Sequence, residues 1–230
     1  MAGGKRTDGP VSRYVNRRFS SAITKAIVKH GIGITPNQVS VISFAIAAAA
    51  LPAYVAGLAW LAGILLQLGS IVDGVDGELA RARGISSPRG AFLDSMLDRL
   101  ADIAAYVGAA YYVMRYEVSS HLTILRLWGV GGAVLAAALV LAASGDILVS
   151  YLHSKAPELL GKHPALVGRI PSFASRDVRL FILFIASLPG LVLEGLLAVT
   201  AVSYAYVLSK FVEVFQHAGS GVSTGRRQAP

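Results

Sequence analysis

The sequence contains no cysteine and few charged residues. Of its 230 residues, 15% are charged and 54% are hydrophobic, and the mean hydropathy is +0.60. The lack of cysteine excludes disulfide bonds and thiolate chemistry. Several apolar runs are long enough to cross a bilayer as helices of about 20 residues, which indicates an integral membrane protein. The first ten residues are polar and lack the pattern of a removable signal peptide, so none is expected.

Six spanning helices are predicted from the apolar runs. They cover about residues 36–58, 59–82, 90–114, 122–152, 178–188 and 192–215. The fourth run is long enough to form two pieces, and Pro189 and Gly190 shorten the fifth. The sequence therefore predicts an all-α, polytopic membrane protein.

Basic residues set the expected orientation in the membrane. With the N-terminus inside, nearly all Lys and Arg lie on the inner side, and Arg115 and Arg126 lie outside. The net charge of +8 fits this positive-inside topology and phosphate binding better than nucleic-acid binding. We expect a multi-pass protein of the cell membrane with both termini in the cytoplasm and no nucleic-acid partner.

Three segments are expected along the chain. Residues 1–35 form a cytoplasmic segment, in which residues 11–30 mix basic side chains with an apolar stripe. That pattern predicts an amphipathic helix lying in the membrane interface. Residues 36–218 form the six-helix membrane domain, and residues 219–230 are expected to form a flexible tail.

Four aspartates fall in the second and third predicted helices. An isolated charge at the bilayer centre costs about 2.5–3.5 kcal/mol, so four scattered carboxylates would be poorly tolerated. Asp73 and Asp76 are three residues apart and Asp94 and Asp98 are four apart, so each pair shares a helix face. The two helices form a hairpin centred near Ile85, which places both pairs at matching depths. The four carboxylates can therefore surround one small volume open to the cytosol.

This acidic cluster suits two divalent cations. Carboxylate oxygens are the ligands that Mg²⁺ and Mn²⁺ prefer, and paired ions about 3.5–4 Å apart assist phosphoryl transfer. Gly74, Gly77 and Gly90 leave room near this face for a phosphate-bearing ligand, and Arg81 can balance pyrophosphate charge. The alternative is that the carboxylates pair with neighbouring arginines and only hold helices together. The shared spacing of four aspartates with glycines favours metal-assisted chemistry.

The motif around the aspartates resembles the signature of the CDP-alcohol phosphotransferase (CDP-alcohol phosphatidyltransferase) family. All defined positions are present, in the order Asp73-x2-Asp76-Gly77-x2-Ala80-Arg81-x8-Gly90-x3-Asp94-x3-Asp98. The resemblance implies that an acceptor hydroxyl attacks the β-phosphorus of a CDP-linked donor, CMP leaves and a phosphodiester forms. It also implies a metal-dependent membrane transferase and a homodimer.

The same resemblance implies roles for single residues. Asp73, Asp76, Asp94 and Asp98 would bind two divalent ions, Mg²⁺ or Mn²⁺, and Asp98 would also be the catalytic general base. The residues that would frame the cytidine diphosphate are Gly77, Ala80, Arg81 and Gly90. Asn37, in the first turn of the first helix, is a further candidate for nucleotide contact, although a polar residue is equally typical of a helix start.

Basic residues after the fourth predicted helix are candidates for the acceptor side. Arg176 and Arg179 are three residues apart and share a helix face at the cytoplasmic mouth. Together with Arg169 they would suit a polar acceptor alcohol that itself carries phosphate. The alternative is that these arginines are ordinary positive-inside flanking residues.

Further segments resemble the archaeal di-myo-inositol phosphate phosphate synthase branch of the family. They are residues 12–18 (SRYVNRR), 35–39 (TPNQV) and 71–78 (IVDGVDGE). The implied reaction joins CDP-inositol to inositol phosphate. In that branch a soluble cytidylyltransferase domain often precedes the membrane domain, so a separate cytidylyltransferase is expected to supply the donor.

Two other functions fit the sequence less well. A phospholipid synthase of the same family would take a CDP-diradylglycerol donor and use inositol phosphate, glycerol phosphate or serine as acceptor. A cation transporter would use the aspartates as a transport site. Against transport, the acidic residues lie near one mouth, and the later predicted helices contain no matching acidic pair for an inverted repeat.

Overall fold

The computed structural model describes residues 8–117, 131–161, 163–166 and 172–224. The regular elements of these residues are all helical, as predicted. In chain order they are a π-helical turn (Ser12–Asn16), α1 (Arg17–Lys29), α2 (Pro36–Ala48), α3 (Ala50–Val55), α4 (Ala59–Ala82), α5 (Pro88–Tyr112), a second π-helical turn (Val113–Glu117), α6 (Gly131–Leu160), a 3₁₀ turn (Pro164–Leu166), α7 (Arg176–Ser187) and α8 (Val192–Thr224).

Four helical stretches within the described residues are long and apolar enough to cross a membrane. They are Pro36–Val55, Ala59–Ala82, Ala136–Leu160 and Val192–Gln216. The other two predicted spans, α5 and α7, are not among these four stretches. The helix α7 has 12 residues, and α5 carries Arg89, Asp94, Asp98, Arg99 and Asp102. The chain is therefore a multi-pass membrane protein, whereas the predicted count of six spans is not confirmed.

The helix boundaries follow the predicted ones with a few differences. The second predicted helix, residues 59–82, is α4 without change. The first predicted helix is broken at Ala49, because Pro52 has no N–H to bond the carbonyl one turn before it. At the other end of the chain, α8 is helical through Thr224. The predicted start of the fourth helix falls in 118–130, outside the described residues.

The helices α2 and α5 begin with the same arrangement of a hydroxyl cap before a proline. Thr35 Oγ1 accepts a hydrogen bond from the Gln38 N–H at 3.3 Å, and Gln38 Oε1 accepts one from the Thr35 N–H at 2.8 Å. At the start of α5, Ser87 Oγ accepts from the Gly90 N–H at 3.1 Å. Gly84 turns the chain between α4 and α5 with a φ of 67°, which favours glycine. A reciprocal capping box fixes the start of α2, a single hydroxyl cap fixes the start of α5, and each is followed by a proline, which suits the first turn of a helix.

The helix α4 is central to the packing. It contacts α1, α2, α3 and α7, whereas α5 packs mainly on α2 and α3 and contacts α4 little. The helix α2 comes close to α4 at Gly69, where an added Cβ would lie 2.8 Å from the Cβ of Ala47. Because α2 packs against both helices, α4 and α5 separate beyond their turn. A cavity lies between their acidic faces as a result.

A small apolar cluster fixes the rotation of α4 beside the site. Its buried members come from α1, α2 and α4 and are Ile27, Val39, Val75 and Leu79. A larger core cluster farther along α4 includes Leu66 and joins it to α5, α7 and α8. Because these two apolar clusters fix the rotation of α4, the face of α4 that carries the aspartates is directed at the cavity.

Candidate metal and nucleotide site

Three aspartates from two helices converge. Asp73 and Asp76 of α4 and Asp94 of α5 each offer one carboxylate oxygen, and these atoms lie within 4.8 Å of one another. The rise of a helix places them about 9–14 Å from the ends of α4 and α5 that face the turn between the two helices. Asp76 is buried, and the other two are half-buried. The carboxylates therefore lie inside the protein yet face an open cavity.

The donor set fits a hard divalent cation. Three carboxylate oxygens at this separation are the ligand type that Mg²⁺ and Mn²⁺ prefer. The adjoining cavity has a volume of about 290 Å³, and its lining includes Asp73, Asp76, Asp94 and Asp98. We call it the acidic cavity. Ser40 Oγ donates to Asp76 Oδ2 at 2.5 Å, which fixes the orientation of that carboxylate.

Asp98 lies in the same cavity and is held by Arg176. The Nη1 atom of Arg176 lies 2.8 Å from Asp98 Oδ1 and 3.6 Å from Asp73 Oδ2. One guanidinium at the start of α7 therefore bridges carboxylates of α4 and α5. Among the described residues, no Lys or Arg forms an ion pair with Asp76 or Asp94. Structural ion pairs with arginine can therefore explain Asp73 and Asp98, but not Asp76 and Asp94.

The three arginines predicted for the acceptor have different positions. Arg176 lines the acidic cavity. Arg179 is 1% exposed, its Nη2 lies 2.5 Å from Asp146 Oδ1, and it lines neither this cavity nor the second one described below. Arg169 lies outside the described residues. Of the three, Arg176 is the residue that the structure brings to the aspartates.

A second cavity of about 330 Å³ adjoins the aspartates between α2, α4 and α5. Its lining includes every residue predicted to contact the nucleotide, namely Asn37, Gly77, Ala80, Arg81 and Gly90. A Cβ at Gly90 would lie 3.2 Å from Asn37 Oδ1, so a larger residue there would crowd the cavity wall. Asp76 and Asp94 line both cavities, which makes the two spaces neighbours across the metal ligands.

Ser40 and Asp102 are among the polar residues near the site that were not predicted from the sequence. Ser40 lies one turn after Asn37 on α2, and its spacing could have placed it on the same face. Asp102 follows Asp98 by four residues and continues the series begun by Asp94. Both spacings are present in the sequence, but neither residue belongs to the motif that runs from Asp73 to Asp98.

The N-terminal segment is tied to the site helices by hydrogen bonds. Arg17 Nη1 lies 2.6 Å from Glu78 Oε1, and Ser20 Oγ donates to the same oxygen at 2.7 Å. Ahead of α1, the Ser12 N–H donates to Asp177 Oδ2 of α7 at 2.5 Å. Ser12 and Asp177 also line the acidic cavity, so this segment forms part of its wall.

Comparison with known proteins gives matches over most of the chain. The model of the CDP-alcohol phosphatidyltransferase family matches residues 33–209. The chain is 41% identical over 205 residues to a Rubrobacter xylanophilus protein named bifunctional IPC transferase and DIPP synthase. It is 35% identical over 183 residues to archaetidylinositol phosphate synthase of Pyrococcus horikoshii. These alignments cover 89% and 79% of the chain, which spans 42% of the Rubrobacter protein and 84% of the Pyrococcus protein.

Solved structures share the fold. A crystal structure of Mycobacterium tuberculosis phosphatidylinositol phosphate synthase with CDP-DAG bound matches with a TM-score of 0.64 and 20% identity. The match covers 86% of this chain and 94% of that one. The same enzyme in complex with manganese and citrate also matches with a TM-score of 0.64. At this level of identity the likeness establishes a common helical architecture.

Proposed function

Because the chain belongs to the CDP-alcohol phosphatidyltransferase family, we propose that it transfers a substituted phosphate from a CDP-linked donor to an acceptor alcohol. One observation carries the proposal: Asp73, Asp76 and Asp94 converge beside a cavity whose wall includes Asn37 and Gly90. Carboxylates that can hold cations thus adjoin a space suited to a nucleotide diphosphate. The residues proposed to contact the nucleotide are Asn37, Gly77, Ala80, Arg81 and Gly90.

In the proposed reaction, the acceptor oxygen forms a bond to the β-phosphorus of the donor, the bond to the bridging oxygen breaks, and CMP leaves. Asp98, in the acidic cavity, accepts the proton of the acceptor hydroxyl. Asp73, Asp76 and Asp94, with Asp98 at the edge, would hold two divalent cations, Mg²⁺ or Mn²⁺. When bound, these ions supply charge neutralisation to the diphosphate. Arg81 lines both cavities and balances the remaining phosphate charge.

We propose CDP-inositol as donor and inositol phosphate as acceptor. The identity of 41% to a protein named DIPP synthase supports this choice. Arg176 supports a phosphorylated acceptor, because its guanidinium reaches the acidic cavity and does not line the second cavity. A guanidinium can bind a phosphate through two parallel hydrogen bonds. No acceptor role is proposed for the buried Arg179.

A second candidate is a phospholipid synthase with a CDP-diradylglycerol donor. It is favoured by the length of chain shared with archaetidylinositol phosphate synthase, of which this chain spans 84%. The chemistry at the aspartates would be the same, and the donor's apolar chains would lie in the bilayer. The two candidates differ in the product, since a lipid product partitions into an organic phase and a polyol phosphodiester stays in water.

The proposal includes a membrane topology. We place α5 and α7 in the membrane with the four apolar stretches, which gives six spans with both termini in the cytoplasm. Exposed apolar side chains on α5, such as Ile103 and Val107, support lipid contact. Exposed Phe19 and Ile23 support α1 as an interfacial helix. A homodimer, a separate cytidylyltransferase and the segment bounds at 36–218 and 219–230 stay predictions.

The test is a panel of CDP-linked donors against phosphorylated and free polyols. Purified protein with Mn²⁺ or Mg²⁺ should release CMP with one donor and acceptor pair, and the product mass identifies both. Asp98→Asn should nearly abolish CMP release, whereas Glu158→Gln, an exposed carboxylate outside both cavities, should leave it unchanged. Absence of CMP release with every donor, or an Asp98→Asn variant that keeps most of its activity, would refute the proposed mechanism.

A further inference from the structure

Behind the acidic cavity, α5 carries a fifth aspartate that is buried. Asp102 is 2% exposed and does not line the cavity. Its Oδ1 accepts a hydrogen bond from Arg176 Nε at 2.9 Å, and its Oδ2 lies 3.1 Å from Arg99 Nη1. A buried carboxylate is tolerated only when such partners compensate for the lost water. Asp102 is therefore firmly held between two guanidinium groups.

The contacts of Arg176 divide between the two ends of its guanidinium. The Nε atom, nearer the backbone, bonds to Asp102, while Nη1 points at Asp98 and Asp73 in the cavity. A long arginine side chain has many rotamers in the absence of such an anchor. The hydrogen bond from Nε to Asp102 restricts those rotamers. It leaves Nη1 directed at the acidic cavity, where an acceptor phosphate would bind.

The charge of Asp102 can be balanced without Arg176. Asp146, 4% exposed, bonds to Arg99 Nη1 at 2.8 Å and to Arg179 Nη2 at 2.5 Å. The two buried carboxylates, Asp102 and Asp146, are thus balanced by Arg99 and Arg179. The positive charge of Arg176 remains available to the cavity, although its position depends on Asp102.

We propose that Asp102 is a positioning residue for acceptor binding, which acts by holding Arg176 over the acidic cavity. The inference rests on the proposed function, because that function assigns the acceptor's phosphate to Arg176. Asp102→Asn keeps the shape of the side chain and removes the charge that anchors Nε. The KM for the phosphorylated acceptor should rise about tenfold, the loss expected for one weakened charge-assisted hydrogen bond. The donor KM should stay the same.

The experiment compares Asp102→Asn with Asp146→Asn as a matched control. Both substitutions remove a buried carboxylate of the same ion-pair group, but among the described contacts Asp146 forms hydrogen bonds and ion pairs with Arg99 and Arg179 rather than with Arg176. Thermal stability should fall in both variants, whereas the acceptor KM should rise in Asp102→Asn alone. The affinity for inositol phosphate, measured by calorimetry with Mn²⁺ present, should weaken by the same factor. In the double variant with Arg176→Gln, the acceptor KM should equal that of Arg176→Gln by itself.

Several results would overturn the inference. They are an unchanged acceptor KM in Asp102→Asn, an equal rise in Asp146→Asn, or additive effects in the double variant. If Asp102→Asn does not fold, Arg176→Lys takes its place, because a lysine keeps the charge but cannot contact Asp102 and Asp98 through separate nitrogens. Failure of the proposed function would show instead as no CMP release by the unmodified protein. Failure of the inference by itself would show as CMP release by the unmodified protein with an unchanged acceptor KM in Asp102→Asn, so the two failures are distinguishable.

Discussion

Replacing Arg176 with glutamine should tighten the binding of Mn²⁺ to the protein without substrates. Arg176 Nη1 lies 2.8 Å from Asp98 Oδ1 and 3.6 Å from Asp73 Oδ2. A bound cation would interact with the same carboxylates as the Arg176 guanidinium, and the two positive charges would repel each other. Glutamine is polar but uncharged, and it would not compete with the cation.

The size of this effect follows from the geometry. Two unit charges about 4 Å apart attract each other by about 4 kcal/mol at the effective dielectric constant of a protein surface. After the cost of desolvation, a hydrogen bond to a charged group contributes about 1.5–3 kcal/mol. The side chains of Arg176 and Asp98 are 17% and 19% exposed, which favours the lower end of that range. About 1.5 kcal/mol corresponds to a Kd for Mn²⁺ about tenfold lower.

The assay is a calorimetric or spin-resonance titration of detergent-solubilised protein with Mn²⁺, in the absence of nucleotide. Arg99→Gln is the control, since Arg99 pairs with Asp102 and Asp146 behind the cavity. It removes the same charge without freeing a cavity oxygen, so its Kd should change less. An unchanged or higher Kd in Arg176→Gln would refute the competition. An equal decrease in Arg99→Gln would point to a general effect of net charge.

Three further substitutions have defined outcomes. Ser40→Ala removes the donor that orients Asp76, so the Mn²⁺ affinity measured by titration should fall about tenfold. Gly90→Ala places a methyl group 3.2 Å from Asn37 Oδ1, so the donor KM should rise roughly tenfold with little change in the acceptor KM. Glu78→Gln weakens the contact of α4 with α1, so the melting temperature in detergent should fall by roughly 5 °C. An unchanged Mn²⁺ affinity, donor KM or melting temperature would show that the substituted residue does not have the role assigned to it.

Local sequence signals predicted most of the helices. The apolar run at residues 59–82 coincides with α4, because its ends are marked by a glycine turn on each side. The break at Ala49 could also have been read from the sequence, since Pro52 cannot bond the carbonyl one turn before it. The separation of α4 from α5 could not, because it depends on α2 packing against both helices.

The site shows the same division between spacing and tertiary contacts. The convergence of carboxylates follows from helical spacing and from the hairpin, so Asp73, Asp76 and Asp94 could be grouped in advance. The partner of Asp98 could not be, because Arg176 lies far along the chain and reaches the cavity through the packing of α7 on α4. Spacing by itself gave Arg179 the same role as Arg176, but the fold buries it against other residues.

The proposed chemistry depends on a site for two divalent cations that is formed by the carboxylates of α4 and α5. Spin-resonance spectra during a Mn²⁺ titration test it most directly, because ions about 3.5–4 Å apart are magnetically coupled. We expect two bound ions per chain with a coupled signal, and loss of that signal in Asp94→Asn. No saturable binding to the unmodified protein, or full coupled binding in Asp94→Asn, would contradict it.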